Sequence, residues 1–473
     1  MKLGKLSLVA AVALGCLASA NAADNLAEAL SNGKLSATLK ATYADHTVND
    51  GLASQNNENI FGVGVELGYV TDPLYGFRIG LTGQGWGSPF HVENKSKSMY
   101  NKEWWTNGFV LSEAYLGYAI GKTDIKAGRQ YVVTPLVAGN YTRSFKEAFE
   151  GLSILNKDIP DTALWAGWFY KFQGRSKAAM GSKTYATTGR APLFKDRVIL
   201  GNLTGPNTAK FDDIYSAYIE NKSLPGLKLT GAYAAVTDVE LYPTTVAKNG
   251  DIDLYLAEAN YVLPVADLLK LKFDLQWKGS RADGSLDAKN VNLDGDMLGV
   301  RVGVSDFYGF GASYAYTTVS DDDAVILGVG NGPGSYTAMP IRGPFVFTGF
   351  AGMDMHKLML NYNFAAIGVK GLNLGLHYVT GENDRLKNGT HNATTVNKAN
   401  PGTNYGKVAN TSTEIEGWAV TANYAIPAVK GLNVGITYTS IERDGKDYTT
   451  NTTQNWKENE LWLQASYKFD ILN

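Results

Sequence analysis

The sequence predicts an all-β protein, a transmembrane antiparallel β-barrel. Three observations predict it. Segments along most of the chain alternate apolar and polar residues with a period of two, the pattern of strands whose two faces meet different surroundings. Connections between them come in two sizes, short turns and long polar loops. Helices of ten or twelve residues that could cover a sheet are missing, which argues against a layered α/β fold.

The chain begins MKLGKLSLVAAVALGCLASANA. Lys2 and Lys5 supply a positive start, Leu6 to Leu17 a short apolar run, and Ala20-Asn21-Ala22 a small-residue cleavage site. The run is too short to span a bilayer, so residues 1–22 read as an export signal cut after Ala22, with 23–473 as a single barrel domain. A rival reading lipidates Cys16, but the Ala13-Leu14-Gly15 lead-in lacks the leucine that reading needs. Cys16 is the only cysteine, so the mature chain has neither a disulfide nor a cysteine-ligated metal.

Composition narrows the class. The 43 Lys and Arg, less Lys2 and Lys5, leave 41 against 45 Asp and Glu, a mature net charge of about −4. No basic block suggests nucleic acid. Glycine (52) and tyrosine (27) are abundant, no Pro/Ser-rich linker divides the chain, and no later stretch is long and apolar enough for a spanning helix.

Asp24 to Leu30 is expected to form one or two helical turns. Strands follow. In LSATLKATY, Leu35, Ala37, Leu39, Ala41 and Tyr43 alternate with Ser36, Thr38, Lys40 and Thr42. FGVGVELGY sets Phe61, Val63, Val65, Leu67 and Tyr69 against glycines and Glu66, and FRIGLTG repeats the form. In LKLKFDLQWKGS, Leu271, Phe273, Leu275 and Trp277 oppose Lys272, Asp274, Gln276 and Lys278. LGVRVGVS, HKLMLNYNF, GWAVTANYAI and the final ELWLQASYKFDI continue the series. VKGLNLGLHYVT (369–380) and VKGLNVGITYTS (429–440) are near-copies, each following a short turn, and read as one hairpin type used twice.

The short connections are SLPG (223–226), LPVADLLK (263–270), AAIGVKG (365–371) and IPAVKG (426–431); the long ones are 174–210, 279–294, 320–350 and 381–413. Small turns at one rim and long loops at the other are the signature of an outer-membrane barrel. The apolar rows repeatedly end in Tyr43, Tyr69, Trp277, Tyr378 or Tyr438, as expected where hydrocarbon gives way to headgroups. A sheet edge cannot stay unpaired in hydrocarbon, so the barrel must close. One strand per ~25 residues suggests about 16 to 18, an even number and enough for an aqueous channel.

The segment GRQYVVTPLVAGNYTRSFKEAFEGLSI (128–154) resembles the constriction region of the OprD-like outer-membrane porins. Their Gly-Arg-Gln, Arg and Phe-Glu-Gly elements are met by Gly128-Arg129-Gln130, Arg143 and Phe149-Glu150-Gly151. LPGLKLTGAYAAVTDVE, LYLAEANYVLPVADLLKLKFDLQW and LMLNYNFAAIGVKGLNLGLHYVTGEND resemble later hairpins of that family, so the similarity runs over most of 33–470. The leader and the Tyr and Asn content also resemble the major porins of campylobacter-type bacteria. The resemblance implies an 18-stranded barrel with short periplasmic turns, long outer loops and an inward-folded constriction loop, with barrels possible as homotrimers. It implies passive diffusion of small hydrophilic solutes, in several members carboxylates, along a ladder of basic residues. Arginine is scarce here, which weakens that carboxylate expectation, and Ile471-Leu472-Asn473 lacks the usual terminal aromatic.

A constriction needs charges of both signs across a narrow gap. The candidates are Arg129, Arg143, Lys146, Glu147, Glu150 and Asp158. A salt-bridge network that only pins the loop explains Glu150 equally well. Lys272, Asp274, Gln276, Lys278, Arg301 and His377 are expected to line the lumen, with weaker claims for Lys40, Glu66 and Glu113. His46, His91, His356, His377 and His391 lack ligand spacing, so no metal or other cofactor is expected. Asp321-Asp322-Asp323 is an outer-loop acidic run, read as solvated or as bridged by divalent cations to lipopolysaccharide. No catalytic motif is present, so an enzyme is not expected; the expected partners are outer-membrane lipid, lipopolysaccharide and small solutes. An outer-membrane adhesin or barrel enzyme and a secreted soluble all-β protein are the rival readings.

Overall fold

A computed structural model describes residues 23–49, 55–89, 108–175, 193–201, 209–241, 248–286, 293–321, 323–341, 348–383, 411–448 and 451–472. The leader (1–22), His91, Asp322 and His391 lie outside the described residues.

Eighteen long strands are present among the described residues. The first seven are β1 (Lys34–Asn49), β2 (Gln55–Val70), β3 (Phe77–Gly87), β4 (Gly108–Ile120), β5 (Thr123–Gln130), β6 (Ala148–Asn156) and β7 (Thr162–Gln173). Next come β8 (Ile214–Asn221), β9 (Leu227–Leu241), β10 (Lys248–Ala266), β11 (Leu269–Ala282), β12 (Asp296–Phe307) and β13 (Phe310–Val319). The last five are β14 (Asp354–Asn363), β15 (Leu372–Asn383), β16 (Thr411–Ala425), β17 (Leu432–Asp447) and β18 (Thr452–Leu472). Each strand pairs antiparallel with its neighbours in sequence, and β1 pairs with β18, for example Ala41 with Ala465, so the sheet closes without an edge. Three two-residue segments, Phe194–Lys195, Arg197–Val198 and Ala209–Lys210, extend the sheet between β7 and β9.

The apolar rows face outward. Leu39, Leu275, Leu376 and Leu463 are exposed, whereas Thr42, Gln276, Lys278 and His377 on the alternate row are buried. A row this apolar belongs in hydrocarbon, and its two borders are aromatic. At the short-turn rim, Phe77 meets Tyr118 and Phe310 meets Tyr362, each at 4.5 Å between ring centroids. Nearer the loops, outward tyrosines donate to outward acids: Tyr233 to Asp253 at 2.6 Å, Tyr316 to Asp354 at 2.7 Å and Tyr378 to Glu416 at 2.8 Å. Rings in the apolar phase with hydroxyls turned to carboxylates suit the water interface.

The repeated VKGLN cassette has a backbone reason. Gly371 and Gly431 adopt φ of +88° and +92°, and a Cβ there would lie 2.1 Å from the Ala425 carbonyl and 2.0 Å from that of Lys468. Only glycine fits both the left-handed backbone and the close approach to the next strand. The N-terminal helix is Leu26–Ser31, capped by Asn25, whose side chain accepts from the Glu28 N–H at 3.0 Å. It docks on the β2–β3 turn, where the Asp72 N–H donates to the Ala29 carbonyl at 2.9 Å. Among the described residues no helix is long and apolar enough to cross a membrane.

Two sequence expectations need adjustment. LPVADLLK is mostly strand, since β10 runs to Ala266 and β11 starts at Leu269. The loop expected at 279–294 starts later because β11 continues to Ala282. In both places polar or Pro-containing sequence is carried into strand by cross-strand pairing, for example Pro264 with Lys270.

Candidate functional site

The Gly-Arg-Gln and Phe-Glu-Gly elements are one cross-strand register. Gly128 pairs with Gly151, Arg129 with Glu150 and Gln130 with Phe149. Gly128 has φ of +124°, and a Cβ on it would stand 2.3 Å from the Ala114 carbonyl; a Cβ on Gly151 would stand 2.0 Å from that of Trp168. These glycines let β4–β7 pack closely at the point where residues 131–147 leave the wall. That loop then turns into the barrel. Val132, Leu136 and Val137 join Phe149, Phe169 and Phe172 in one buried cluster. Phe145 joins another with Ala44, Ile60, Trp86 and Trp462 from β1, β2, β3 and β18. The loop thus crosses from β5–β6 to the β18–β2 wall, as an inward-folded constriction loop should.

Its charges do not all serve the lumen. Arg143 is buried; its guanidinium lies 3.4 Å from Glu460 Oε1 and 4.3 Å above the Trp462 ring, mooring the loop to β18. Lys146 reaches the lumen, with Nζ 2.7 Å from Glu66 Oε1, while Lys40 Nζ lies 3.4 Å from Glu66 Oε2. The Tyr131 and Tyr141 rings flank Lys146 Nζ at 5.3 and 5.6 Å. Burial, followed by the Glu66 and Glu113 carboxylates, pushes the Tyr131 hydroxyl well above its ordinary range, and burial with Glu113 does the same to Tyr141. Both phenols are neutral at neutral pH.

Glu147 is fully buried and accepts from the Asn140 N–H at 2.8 Å, the Asn331 N–H at 3.0 Å and Asn331 Nδ2 at 2.5 Å. Burial pushes its carboxyl up, against the pull of Arg175 and those donors. Glu147 therefore ties two loops together inside the protein and does not line the lumen. Asp158 lies elsewhere, in the short turn between β6 and β7. There it accepts from the Lys122 N–H at 3.1 Å and the Thr123 hydroxyl at 3.0 Å, contacts that hold its carboxyl below the usual range. The assignment of Asp158 to the constriction is corrected: six residues of β6 carry the chain from Gly151 down to the opposite rim before Asp158.

Arg129 and Glu150 are also corrected. Both occupy the outward row, in phase with exposed Leu116, Leu152 and Ile154. Charge had suggested the lumen for them; strand parity sends them to the outer wall.

A second loop, described over residues 323–341, shares the constriction. Its apolar residues Val325, Ile326, Leu327 and Val329 are buried. The Ala138 N–H donates to the Val329 carbonyl at 3.0 Å and the Val329 N–H to the Leu136 carbonyl at 2.7 Å, joining the two loops by backbone bonds. Lys278, only 2% exposed, donates to the Leu327 and Gly334 carbonyls at 2.9 and 2.8 Å. Lys357 donates to the Ala338 carbonyl. The expectation that Lys278 lines the pore is thus corrected: it points inward, but the loop covers it.

On this wall Arg301 is held by Asp274, Nε to Oδ2 at 2.7 Å, with its guanidinium 4.3 Å from the Tyr336 ring centre. Asn260 bridges Glu258 and Asp274 at 2.8 and 2.9 Å, and Gln276 donates to Glu258 at 3.0 Å. Arg301 remains 38% exposed at the side chain and Lys272 is half-buried on the same inward row. His377 is buried on the inner wall of β15. In a closed barrel of eighteen, β2 and β11 are nine strands apart, so the Lys146–Glu66–Lys40 group and the Asp274–Arg301 group stand on opposite walls. Below the first loop, Tyr131, Asp124, Lys126, Glu220 and Lys222 line a vestibule of about 500 Å³.

Sequence reasoning missed Tyr131, Tyr141, Tyr336, Glu258 and Lys357. Alternation against Leu358 and Leu360 in HKLML would have placed Lys357 inward. The run Ala324-Val325-Ile326-Leu327 inside a loop expected to be solvated is the signal that residues 323–341 pack into the barrel.

Comparison with known proteins agrees with this architecture. The solved structure of OpdQ from Pseudomonas aeruginosa superposes with a TM-score of 0.67 at 18% identity, covering 94% of this chain and 100% of that one. OccAB2 from Acinetobacter baumannii gives 0.69 at 16% identity, over 94% and 99% of the two chains. A BenF-like porin from Pseudomonas fluorescens Pf-5 gives 0.68 at 16% identity, over 93% and 99%. Comparison with curated protein sequences finds no match. The family model described as outer membrane porin, OprD family, matches residues 114–471, more than half of the chain. The chain therefore belongs to the OprD family of outer-membrane porins, whose water-filled barrels let small hydrophilic solutes diffuse passively across the outer membrane.

Proposed function

We propose that this porin sorts solutes by a transverse field set between opposite walls of the barrel, and that it favours small molecules carrying both charges or none. The observation that carries this reading is the mounting of mixed charge on opposite walls, Lys146 with Glu66 and Lys40 facing Arg301 with Asp274. Such a field orients dipolar solutes and holds back ions of either single sign. Lys272 and Gln276 extend the polar row, and His377 borders it; Arg143 acts by holding the loop that narrows the gap. Liposome swelling with zwitterionic, cationic and anionic solutes of equal size tests the reading. Faster entry of the zwitterion is expected, and equal rates for all three would overturn it. Planar-bilayer recordings should show stable ohmic steps, with a mild cation preference in keeping with the acidic excess.

The same reading makes the protein a channel without enzymatic activity, nucleic-acid partner or cofactor. Residues 1–22 act as the export signal, and intact-mass measurement of the purified protein should start at Ala23. Its leader and its Tyr and Asn content support a place near the campylobacter-type porins. Assembly as a homotrimer rests on the family resemblance, and light scattering in detergent should give three times the monomer mass. Lipopolysaccharide is the proposed lipid partner at the outer leaflet.

A further inference from the structure

We infer that the outer wall of β5–β7 carries a binding site for the phosphate-bearing headgroup of an outer-leaflet lipid, built by Arg129, Lys171 and Tyr170 on Glu150. This deepens the proposal that lipopolysaccharide is the lipid partner and rests on it.

Placement is the first ground. Arg129 and Glu150 face outward by register, and the β6–β7 pairing shifts between Glu150 and Gly151, leaving Tyr170 as an extra residue in β7. That bulge brings both Tyr170 and Lys171 against Glu150. Tyr170 donates to Glu150 Oε1 at 3.0 Å, Lys171 Nζ lies 3.6 Å from the same oxygen, and Arg129 Nε donates to Oε2 at 3.0 Å. Two cations on one carboxylate leave a net positive charge. The Phe194 ring 4.5 Å from the Arg129 guanidinium further fixes its plane.

Depth is the second. Charges on a barrel's lipid face cost about 2–4 kcal/mol at the midplane and almost nothing at the interface. The cluster stands at the loop end of its strands, since β5 ends at Gln130 and β6 begins at Ala148. On the same side Trp168 donates to Asp213 at 2.6 Å, an aromatic of the interfacial border. The side chains of Arg129 and Lys171 are 37% and 43% exposed at this level. An arginine held flat beside a lysine suits a phosphate, which takes a bidentate contact from the first and a point charge from the second.

The wall beneath is the third. Four residues below Glu150 along β6, about 13 Å at strand rise, the outward row becomes small across the neighbouring β7, β8 and β9. Ala166, Ala217 and Gly231 form the floor of an apolar groove of about 560 Å³ between Ile154, Ile219 and Tyr233. A headgroup at Arg129 and an acyl chain in this groove fit one lipid. A two-fold contact with a second barrel would instead bring the same cations face to face.

The test uses the full-length protein in detergent with native mass spectrometry, offering lipid A with both phosphates, dephosphorylated lipid A, and phosphatidylethanolamine. Bisphosphorylated lipid A should bind the native chain best. Arg129→Gln with Lys171→Gln should weaken it by about tenfold or more, the loss of one or two charge-assisted contacts. Ala217→Trp should weaken all acylated lipids. Conductance in planar bilayers should stay native in the double variant, which separates loss of this site from loss of the channel. If the double variant does not assemble, Arg129→Lys with Lys171→Arg keeps the charges and should retain binding. Equal binding by native and double-variant protein, or of phosphorylated and dephosphorylated lipid A, would overturn the site. So would a cluster whose loss dissociates barrels without releasing lipid.

Discussion

Arg129 stands directly opposite Glu150 across the β5–β6 pair, Nε to Oε2 at 3.0 Å, and the pair looks outward from the barrel. Beside it Gly128 faces Gly151, so one ladder segment holds both a charge pair and the two positions that exclude a side chain. The motif shapes the wall from which the constriction loop springs, and its charges do not enter the pore.

Reversal potentials under a salt gradient should separate the two faces. Lys146→Glu removes a lumen cation beside Glu66 and adds a carboxylate, so the reversal potential should move toward cations. Arg129→Glu changes charge by the same two units on the outer wall and should leave it unmoved. A shift as large for Arg129→Glu as for Lys146→Glu would place Arg129 in the conduction path and undo the register argument.

Gly128→Ala should impair assembly. A backbone held at φ +124° costs an L-residue about 1–3 kcal/mol, and the added Cβ meets the Ala114 carbonyl at 2.3 Å, which must move. Gly121→Ala provides the comparison: its φ is +59°, but a Cβ there would meet only the Asp158 side chain, at 3.3 Å. Heat-modifiable mobility on gels should show a larger unfolded fraction for Gly128→Ala than for Gly121→Ala.

Arg143→Ala should loosen the first loop. It leaves Glu460, itself 1% exposed, without its guanidinium, and breaking a buried pair from one side costs roughly 3–5 kcal/mol. The expected readout is noisier single-channel current together with faster protease cleavage within 131–147. Quiet native-like recordings would mean that Phe145 and its cluster suffice to hold the loop.

The barrel was legible because lipid imposes a strict period of two, and because each strand repeats it. The constriction was less so, for a physical reason visible at Glu150 and Lys278. A charge in a strand announces only that its phase differs from the leucine row. Glu150 shares the leucine row's own phase, and sits there because it is near the interface and has two cations and a phenol for company. Lys278 has the lumen phase, yet a loop 49 residues away in sequence supplies the carbonyl that covers it. Loop placement depends on such distant pairings, as does the reach of Glu147 to Asn331, and strand periodicity says nothing about them.

Lys278→Met with Lys357→Met should widen the pore. Each ammonium is capped by loop carbonyls, Lys278 by those of Leu327 and Gly334 and Lys357 by that of Ala338. A hydrogen bond to a charged group contributes about 1.5–3 kcal/mol, so the pair of substitutions removes several kcal/mol of loop anchorage while methionine preserves the volume on the wall. Removing two inward cations would by itself favour cations without changing the size limit. Release of the loop segment 323–341 would do something different: conductance would rise, and neutral sugars too large for the native pore would enter liposomes. Measuring sugar entry alongside reversal potential distinguishes the two. A reversal shift with an unchanged sugar limit would show that these lysines tune charge and do not hold the loop.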